Sequence, residues 1–542
     1  MTTDPNELFD DPRMATARAA LAKRWRESGL HDDETLPEAL ARAARDTPDV
    51  YMLFPSEARP GRLNMRDLDE RARRMASALA ERGLASGDVV AVQLPNWEEV
   101  AIAYLAVAML GGVIVPIVHI YGPHETDWII RASGARLFIS PDRWGNIDFL
   151  ARAEQMPALA SIDRIVVGDE IPPGASSWRD VEDAGDPHFE PAARRAEDPL
   201  MVVYTSGTTS DPKGVLHTHQ TLLADMRNLP WDRSEYSHRL CLHLFPAGHI
   251  GGACALLGTI ITGKPVVLID RWDPRQAAVL IEEHEIDRFT GAPFHVAGLL
   301  DLVESGEFSC TSLRTVMTGA AGVPPTLVER ADRAGWRVVR AYGSSEHPTA
   351  TASPFSSELA KRARTDGPAL DHTELRITLE NGEEAPRGEP GEVWLRGPEQ
   401  FLGYTDPALN REAFGPDGWF RSGDVGVVDA EGCLTITDRI KDIIIRGGEN
   451  LSSLEIEGLL ARHPAIAEAA VVAMPDPRYG ERVCAFLLLA PGAEPPDLPD
   501  LLRHFDAQGA ARQKTPERIV VLDELPRTPT GKVKKHELRA QL

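Results

Sequence analysis

The sequence predicts an α/β protein with a large N-terminal domain of parallel or mixed sheets with packed helices, followed by a small α+β C-terminal domain. A length of 542 residues points to at least two domains, because a single core rarely grows that large. Apolar strands alternate with helical segments over most of the chain, which indicates parallel sheets covered by helices. Near the C-terminus, strands at residues 469–473 and 483–488 and a helix around Ile456 indicate a separate unit of about 100 residues.

The first part of the chain shows this alternation most clearly. Apolar residues recur at helical spacing in residues 36–44, and a longer amphipathic helix is predicted over residues 67–83. A strand follows at residues 89–94. Residues 100–118 carry no charge over about the length of a membrane-spanning helix. Because Gly111–Gly112 divides them into a helix and a β-branched strand, we predict a buried unit and no stable membrane insertion.

The middle of the chain continues the pattern. Residues 168–198 are rich in Pro, Gly, Ser and acidic residues, so we predict a surface loop there. Ligands of open parallel sheets bind at the carboxyl ends of strands, which makes the residues after each strand candidates for a site. The further predicted strands are residues 137–139, 165–167, 201–203, 266–269, 286–290, 315–318 and 338–342.

The composition is that of a globular protein, with 43% hydrophobic and 26% charged residues. A net charge of −24 argues against nucleic acid as a partner, because the phosphate backbone would be repelled. The five cysteines are scattered and form no CxxC pair, which fits a reducing environment. The acidic start of the chain lacks the apolar core of a signal peptide. We therefore expect a cytoplasmic protein.

The stretch Tyr204–Val215 has the composition of an anion-binding loop. It follows the strand at residues 201–203 and combines hydroxyl side chains, glycines and Lys213. Glycines let backbone N–H groups face a ligand, and successive amides form a concavity that suits a polyphosphate. The stretch is not a Walker A loop, which needs a Gly-Lys-Ser/Thr run opening a helix. From these residues alone, a polar surface hairpin remains the alternative.

Two of the predicted strands end in residues that suit a nucleotide. Gly319–Gly322 is a turn of small residues that would let a flat ring approach the backbone, although an ordinary tight turn also explains it. Tyr342–Glu346 brings together an aromatic face, a glycine, hydroxyls and a carboxylate. A carboxylate beside a triphosphate requires a divalent cation between them. The alternative for Glu346 is a solvated loop residue.

Several motifs, in order along the chain, together resemble the adenylate-forming superfamily, and in particular AMP-forming acyl-CoA synthetases of fatty, alicyclic or aryl acids. At Ser345 the sequence departs from the family's aromatic-Gly-x-Thr-Glu pattern but keeps the hydroxyl. The resemblance implies ATP, Mg²⁺ and coenzyme A as cofactors or co-substrates. The motifs that carry it are Thr205–Thr209 with Pro212–Gly214, Tyr342–Glu346, Gly391–Pro398, Trp419–Asp424, Asp438–Asp442 and Pro526–Lys535.

The resemblance also implies roles for single residues of the nucleotide site. Tyr342 is expected to stack on adenine, Ser345 to contact the α-phosphate, and Glu346 to hold Mg²⁺ and act in catalysis. Asp424 suits the ribose, because a fixed carboxylate can accept both hydroxyls. The other residues assigned to nucleotide or CoA are Thr205, Ser206, Gly207, Thr208, Thr209, Lys213, Gly319, Ala320, Ala321, Gly343, Arg439, Lys441, Gly447 and Gly448.

The predicted domains are residues 1–440, which bind ATP and the acyl group, and residues 441–542, which the resemblance makes mobile. It implies that Lys441 is the hinge residue, with Arg439 contacting the nucleotide. It further implies that Lys532, in a basic segment that would otherwise be a solvated tail, is the catalytic lysine.

The acyl group is expected beside His249, which resembles the family's histidine at the mouth of the acyl pocket and is taken as a catalytic residue. The glycines at Gly251 and Gly252 indicate a wide pocket, and the region of Phe294 and His295 is expected to contribute to it. No acidic residue stands where amino-acid-activating relatives bind the substrate ammonium. No charged partner for the acyl group is obvious elsewhere in the sequence, and we therefore predict an apolar carboxylic acid.

These motifs predict an acid–CoA ligase that converts a carboxylic acid to acyl-AMP with ATP and then to a CoA thioester. One alternative is a stand-alone enzyme that loads a carrier protein. Another, from a different class, is a catalytically inactive nucleotide-binding regulator, against which the intact Glu346, Asp424 and Lys532 argue. A luciferase-like side activity also stays open. The sequence leaves open which acid is used and whether the chain forms a homodimer.

Overall fold

The computed structural model describes residues 12–205, 212–229, 239–447, 449–528 and 532–542. Within these ranges, two eight-stranded sheets form the body of the molecule. The inner strands of both sheets run parallel, with antiparallel pairs towards the edges. In spatial order the first sheet contains Thr351–Ala352, Arg337–Tyr342, Thr315–Thr318, Arg288–Gly291, Cys241–His243, Val266–Leu268, Tyr51–Phe54 and Gly61–Asn64. The second contains Gly403–Tyr404, Lys213–Thr218, Pro199–Thr205, Val113–Pro116, Val89–Val92, Leu137–Pro141, Asp163–Val167 and Ser176–Ser177.

The helix Glu98–Met109 is central to the packing of these two sheets. It is buried along its whole length from Glu99 onward, and it belongs to a hydrophobic core that contains residues of both sheets. The following strand Val113–Pro116 is fully buried, so the predicted helix–strand unit in residues 100–118 is confirmed. Among the described residues, no helix combines the length and the apolar character that crossing a bilayer requires.

The other helices cover the sheets and bury their apolar faces against them. Met65–Glu81 begins two residues before its predicted start, because Asn64 accepts the N–H of Asp67 and caps it. The remaining helices of this part are Pro12–Glu27, Leu36–Asp46, Pro123–Ser133, Phe149–Ala153, Trp178–Ala184, His219–Asn228, Ile250–Thr262, Pro274–Glu283, Pro293–Glu304, Pro325–Arg333, Leu359–Arg364 and Pro407–Ala413.

One prediction in this part is wrong. Residues 168–198 are not simply a surface loop, because they contain the helix Trp178–Ala184. The Trp178 side chain is buried, and the Glu182 carboxylate accepts hydrogen bonds from it and from Arg71. These tertiary contacts stabilise a helix that the local composition does not favour.

Two five-stranded sheets follow in the described part of the chain. The third is antiparallel, and it contains Gly367–Pro368, Cys433–Arg439, Phe420–Val428, Gly391–Arg396 and Glu374–Thr378. The fourth contains Glu449–Leu451, Ile444–Arg446, Gly480–Leu489, Ile466–Asp476 and Arg518–Val521, with helices Ser453–Leu460, Leu498–Ala507 and Lys535–Arg539.

The fourth sheet and its helices have hydrophobic clusters of their own, which include Ile456, Phe486 and Phe505. This part, residues 444–542, is the small lobe, and the chain up to Arg439 is the large lobe. The two are connected by a single 3₁₀ turn, Ile440–Asp442. The charged residues Asp438–Asp442 therefore do not form the turn of a hairpin, because the strands on either side of them belong to different sheets. The predicted α/β class with a smaller α+β unit is confirmed.

Candidate active site

A cavity of about 1710 Å³ extends between the two lobes and into the large lobe. Sites for single small ligands usually have roughly 300–1,000 Å³, so this cavity has room for more than one substrate. Its wall includes residues after the strands Thr315–Thr318 and Arg337–Tyr342, residues of the hairpin that contains Lys213, and Lys532 of the small lobe. The expectation that ligand-binding residues follow parallel strands agrees with this wall.

Tyr342, Asp424 and Arg439 form a connected group on one side of the cavity. The Tyr342 hydroxyl donates to Asp424 Oδ2 at 2.7 Å, and Arg439 Nε lies 2.8 Å from Asp424 Oδ1. Burial and the Asp424 charge raise the pKa of Tyr342, so the phenol stays protonated. Burial lowers the pKa of Arg439, but the combined attraction of Asp424, Tyr342, Asp442 and Glu346 outweighs this effect and the net shift is upward. The group therefore presents a fixed carboxylate to the cavity.

Asp424 does not lie in a simple turn. It lies within the strand Phe420–Val428 and pairs in register with Arg439 on the neighbouring strand. Gly423 before it has φ +71°, a conformation that side chains with Cβ rarely adopt. The Asp424 N–H also donates to the Ser422 hydroxyl at 3.1 Å. Asp424 is only 4% exposed, so its direction is set by the backbone and by its two partners.

Glu346, at the end of the Tyr342–Glu346 turn, is held in place by Tyr404 and Phe401. Tyr404 donates its hydroxyl to Glu346 Oε1 at 2.6 Å, and the Glu346 backbone carbonyl accepts the Phe401 N–H at 2.8 Å. The Lys213 ammonium lies 5.3 Å from the centre of the Tyr404 ring, which brings the hairpin close to this carboxylate. Glycine is required at Gly343, because an added Cβ would lie 2.0 Å from the Pro348 carbonyl oxygen.

Glu346 fits a divalent cation that is shared with a ligand. The described ranges contain no group of three or more His, Cys, Asp or Glu side chains that could hold a metal. A cation at Glu346 would therefore take its other ligands from phosphate oxygens and water, which is how Mg²⁺ is usually held at nucleotide sites.

The predicted phosphate loop is an antiparallel hairpin between Pro199–Thr205 and Lys213–Thr218. Thr205 pairs with Lys213, and both line the cavity. The predicted residues Ser206, Gly207, Thr208 and Thr209 lie outside the described residues, as does Gly448.

The turn Gly319–Gly322 also lines the cavity. Ala320 has φ +65°, a left-handed conformation that costs about 1–2 kcal/mol for a residue with Cβ. An added Cβ at Gly319 would lie 2.5 Å from the Ala341 carbonyl oxygen, so the strand end Arg337–Tyr342 packs directly against this turn. Gly319, Ala320 and Ala321 are thus placed beside Tyr342, on the same wall.

Lys532 of the small lobe enters the cavity from the other side. The Lys532 carbonyl accepts the Thr528 N–H at 2.6 Å, and its N–H donates to the Thr528 hydroxyl at 3.1 Å. Burial, and then repulsion by Arg439 and Lys441, lowers the Lys532 pKa to about 7, although Asp424 opposes the shift. Burial and the charge of Lys532 lower the pKa of His249 to about 4. Lys532 is therefore close to the Asp424 group and to His249 at once.

The small lobe is docked on the large lobe through the end of strand Cys433–Arg439. Ser452 donates its hydroxyl to the Thr437 carbonyl at 2.6 Å, and Ser453 donates its N–H to Asp438 Oδ2 at 2.5 Å. Arg539 pairs with Asp442 in the connecting turn.

Lys441 and Gly447 occupy different positions relative to the cavity. Lys441 lines it, and burial together with Arg439 lowers the Lys441 pKa to about 8. Gly447 does not line it in this arrangement of the lobes. Its N–H donates to the Tyr479 carbonyl at 2.7 Å, and its φ is +60°.

His249 marks the part of the cavity that extends into the large lobe. Its Nδ1 accepts the Gly251 N–H at 3.2 Å and caps the helix Ile250–Thr262. One face of this helix lines the cavity with small residues, namely Gly251, Cys254, Ala255, Gly258 and Thr262.

Three expectations about the acyl pocket are wrong. Gly252 does not line the cavity, and a Cβ there would lie 2.0 Å from the Pro246 carbonyl oxygen, so this glycine permits close packing. Neither Phe294 nor His295 lines the cavity. Charged side chains are present after all, because Asp225 and Arg288 are part of the wall. Asp225 is the one acidic residue in the helix His219–Asn228, and an acid in a helix that is otherwise buried is the signal that could have revealed it.

Comparison with known proteins gives the fold and the motifs a context. Residues 40–405 match the AMP-binding enzyme family, and residues 455–532 match the AMP-binding enzyme C-terminal domain. The chain is 31% identical to the medium-chain fatty-acid–CoA ligase of Escherichia coli (strain K12), covering 99% of this chain and 96% of that protein. It is 33% identical to 3-[(3aS,4S,7aS)-7a-methyl-1,5-dioxo-octahydro-1H-inden-4-yl]propanoyl:CoA ligase of Mycobacterium tuberculosis (strain ATCC 25618 / H37Rv), over 94% of this chain and 99% of that protein.

Among solved structures, the chain is similar to ATP-bound MatB from Rhodopseudomonas palustris. The TM-score is 0.84 with 28% sequence identity, covering 94% of this chain and 99% of the other. The family matches cover both lobes, and the relatives match the chain over nearly its whole length. The resemblance that the sequence motifs indicated is confirmed: the chain belongs to the AMP-binding enzyme family of adenylate-forming enzymes.

Proposed function

We propose that the protein is an acid–CoA ligase. It converts a largely apolar carboxylic acid and ATP to acyl-AMP and pyrophosphate, and then transfers the acyl group to coenzyme A with release of AMP. The observation that supports this most directly is that Lys532 lines the cavity and interacts electrostatically both with the Asp424–Arg439 group and with His249. A cation near both groups would suit the point where a carboxylate meets a nucleotide phosphate.

In the first step the carboxylate of the acid attacks the α-phosphorus, its oxygen–phosphorus bond forms, and the bond to pyrophosphate breaks. Two anions must approach, and at 4 Å two unit charges interact by about 4 kcal/mol at an effective dielectric constant near 20. Protonated Lys532 between them replaces this repulsion with attraction, while Lys213 attracts the departing pyrophosphate. Glu346 would hold Mg²⁺, which screens the phosphate charges when bound.

The nucleotide itself would be positioned by groups of the large lobe. Asp424 would accept the ribose hydroxyls, and the Tyr342 ring and the turn Gly319–Gly322 would enclose the adenine. Ser345 would contact the α-phosphate. His217 Nε2 bonds the Ser345 carbonyl at 2.7 Å and so fixes the turn in which Ser345 lies.

The second step requires the thiol of CoA to reach the carbonyl of acyl-AMP, where Lys532 stands in the way. We infer that the small lobe rotates about Lys441 in the connecting turn, withdraws Lys532 and brings Gly447 and Gly448 towards the CoA arm. The thiolate then attacks the acyl carbon, and the bond to AMP breaks.

The nature of the acid is inferred from the wall and from the relatives. The helix face from Gly251 to Thr262 lines the cavity with small and mainly apolar residues. The two relatives named above are ligases of a medium-chain fatty acid and of an alicyclic propanoic acid. Both facts favour an acid with a bulky or extended hydrocarbon part.

A panel of aliphatic, alicyclic and aromatic acids tests the proposal. Purified protein is incubated with ATP, Mg²⁺, CoA and each acid, and AMP and thioester are measured separately. AMP formation that needs both an acid and CoA, with an equal amount of thioester, is the expected result. Absence of acid-dependent ATP–pyrophosphate exchange with every acid would refute the proposal. Exchange without thioester formation would instead indicate another acceptor.

A further inference from the structure

The carboxylate of Asp225 is a polar group in the wall of the cavity. The residue is 3% exposed, yet it lines the cavity. Its Oδ1 is fully buried and makes no hydrogen bond of good geometry among the described residues, although Thr349 and Cys254 lie near the carboxylate. A buried polar oxygen without a partner is destabilising, so a carboxylate that contains one and borders a cavity is a candidate contact for a ligand.

Asp225 lies in the acyl part of the cavity. Cys254 and Thr349, both on the cavity wall, are close enough to Asp225 to influence its pKa. Cys254 is on the helix that His249 caps, and at about 1.5 Å per residue it lies roughly 7.5 Å along that helix from His249. Asp225 is therefore several carbon atoms from the place where the carboxylate of the acid would lie.

The ionisation of Asp225 is compatible with a role in binding. Burial raises its pKa to about 6, and contacts with Thr349 and Cys254 oppose the shift. At neutral pH the side chain is thus mainly a carboxylate, which accepts hydrogen bonds. Burial and the negative charge of Asp225 together raise the pKa of the Cys254 thiol, which stays protonated.

A nearby acid shows what a purely structural role looks like. Glu399 also has one buried oxygen without a partner, Oε2, but its Oε1 accepts the Thr373 hydroxyl at 2.8 Å and the residue does not line the cavity. Burial raises its pKa to about 8, and the charge of Asp225 adds to the shift. Asp225 differs because it faces the space that the acyl group would fill.

A neutral donor suits this position better than a cation. The guanidinium of Arg288 lines the same cavity, with Nε donating to the Thr315 hydroxyl at 3.3 Å, so the wall already carries a positive charge. A hydroxyl can donate to the carboxylate of Asp225 without bringing a charge. The surrounding wall, with Met226, Ala255 and Gly258, leaves the rest of the acyl group in apolar contact.

We propose that Asp225 selects acids whose acyl group carries a hydroxyl several carbon atoms from the carboxyl, in preference to the unsubstituted acids. This inference rests on the proposed acid–CoA ligase activity and adds a specificity-determining residue to it. The hydroxyl would donate its proton to Asp225 in the hydrogen bond and take no part in the chemical steps.

The test compares kcat/KM for thioester formation with saturated acids of equal length, with and without one hydroxyl at successive positions along the chain. The wild-type enzyme is expected to prefer the hydroxylated acid at one or two positions by about tenfold or more, because the unsubstituted acid leaves the buried carboxylate unpaired. Asp225→Leu is expected to reverse this preference. Glu399→Gln is the matched control and is expected to keep it, and thermal melting shows whether each variant is folded.

The outcomes separate this inference from the function on which it rests. A wild-type enzyme that activates unsubstituted acids and prefers them at every hydroxyl position overturns the role of Asp225 alone, whether or not the variants fold. A preference that survives in folded Asp225→Leu overturns it too. If no acid of any kind supports ATP–pyrophosphate exchange, the proposed ligase activity itself is refuted.

Discussion

Lys532 illustrates how one side chain can depend on its surroundings for its chemistry. In the ligand-free protein, burial and the neighbouring cations Arg439 and Lys441 lower its pKa to about 7. At neutral pH the Lys532 amine is therefore only partly protonated until an anionic ligand binds. Binding of a polyphosphate would restore the charge that the reaction needs.

Replacing this side chain gives the first prediction. Lys532→Ala is expected to reduce acid-dependent ATP–pyrophosphate exchange by about 100- to 1,000-fold, the usual effect of removing one positioned electrostatic group. Reaction of preformed acyl-AMP with CoA should persist. Lys514→Ala is the control, since Lys514 is a small-lobe lysine that pairs with Glu455 and does not line the cavity. Normal exchange in Lys532→Ala would contradict the assigned role.

A second prediction concerns protons and ATP. Above pH 7 the ligand-free Lys532 loses its proton, and the phosphates of bound ATP raise its pKa, so binding takes up a proton. Calorimetry at pH 8 in buffers of different ionisation enthalpy is expected to show uptake that approaches one proton per ATP, together with weaker binding as pH rises. Lys532→Ala is expected to remove most of this uptake. Equal uptake by both proteins would show that another group titrates.

At the scale of elements, the turn Ile440–Asp442 is the chain connection between two separate sheets. The strand before it belongs to the third sheet and the strand after it to the fourth. A change in the backbone torsions of this turn would move the whole small lobe, since contacts such as Ser453–Asp438 and Arg539–Asp442 lie close to it.

Proline in this turn tests the hinge. Lys441→Pro fixes φ and removes an N–H, so we expect ATP–pyrophosphate exchange to be retained and thioester formation to be lost. Lys441→Ala removes the same charge but leaves the backbone free, and it is expected to keep both steps in comparable proportion. The two half-reactions are measured separately, and an equal loss of both in Lys441→Pro would argue against a hinge at this residue.

Elements defined by local pattern could be predicted from the sequence, and those defined by tertiary packing could not. The uncharged segment 100–118 splits at Gly111–Gly112 as expected, because glycine and β-branched residues act locally. The helix Trp178–Ala184 was missed, since contacts with a distant helix stabilise it.

The same division applies to the site. Motif order pointed to Tyr342, Asp424 and Lys532, which the structure places around one cavity. Asp225 and the packing role of Gly252 were missed, because the direction in which a helical side chain faces depends on what surrounds the helix. The predicted roles themselves remain to be tested by the variants above.

At the scale of the molecule, the two lobes have separate hydrophobic cores. The small lobe is built around Ile456 and Phe505, whereas the cores of the large lobe contain residues of its own sheets and helices. Polar contacts and a single turn join the lobes. Interfaces of this kind allow relative motion as the default.

Separate expression tests this division. Residues 1–440 and residues 441–542 are each expected to unfold cooperatively when followed by circular dichroism. Each piece is also expected to resist proteolysis, so that it gives a fragment of its own full size. The large fragment is expected to bind ATP more weakly than the full chain, because Lys532 is missing. A small fragment that is unfolded at all temperatures would place the boundary elsewhere.

The cavity, whose wall is formed by both lobes, has a kinetic consequence. In the proposed reaction acyl-AMP, a mixed anhydride that water hydrolyses, would be enclosed by both lobes, and neither water nor thiol would have free access to it. The proposed movement that admits the thiol would also admit water, so the concentration of CoA would decide which of the two reacts with the activated acid. Scarcity of CoA would turn the enzyme into a slow, acid-stimulated ATP pyrophosphohydrolase, whereas plentiful CoA would make almost every ATP yield a thioester.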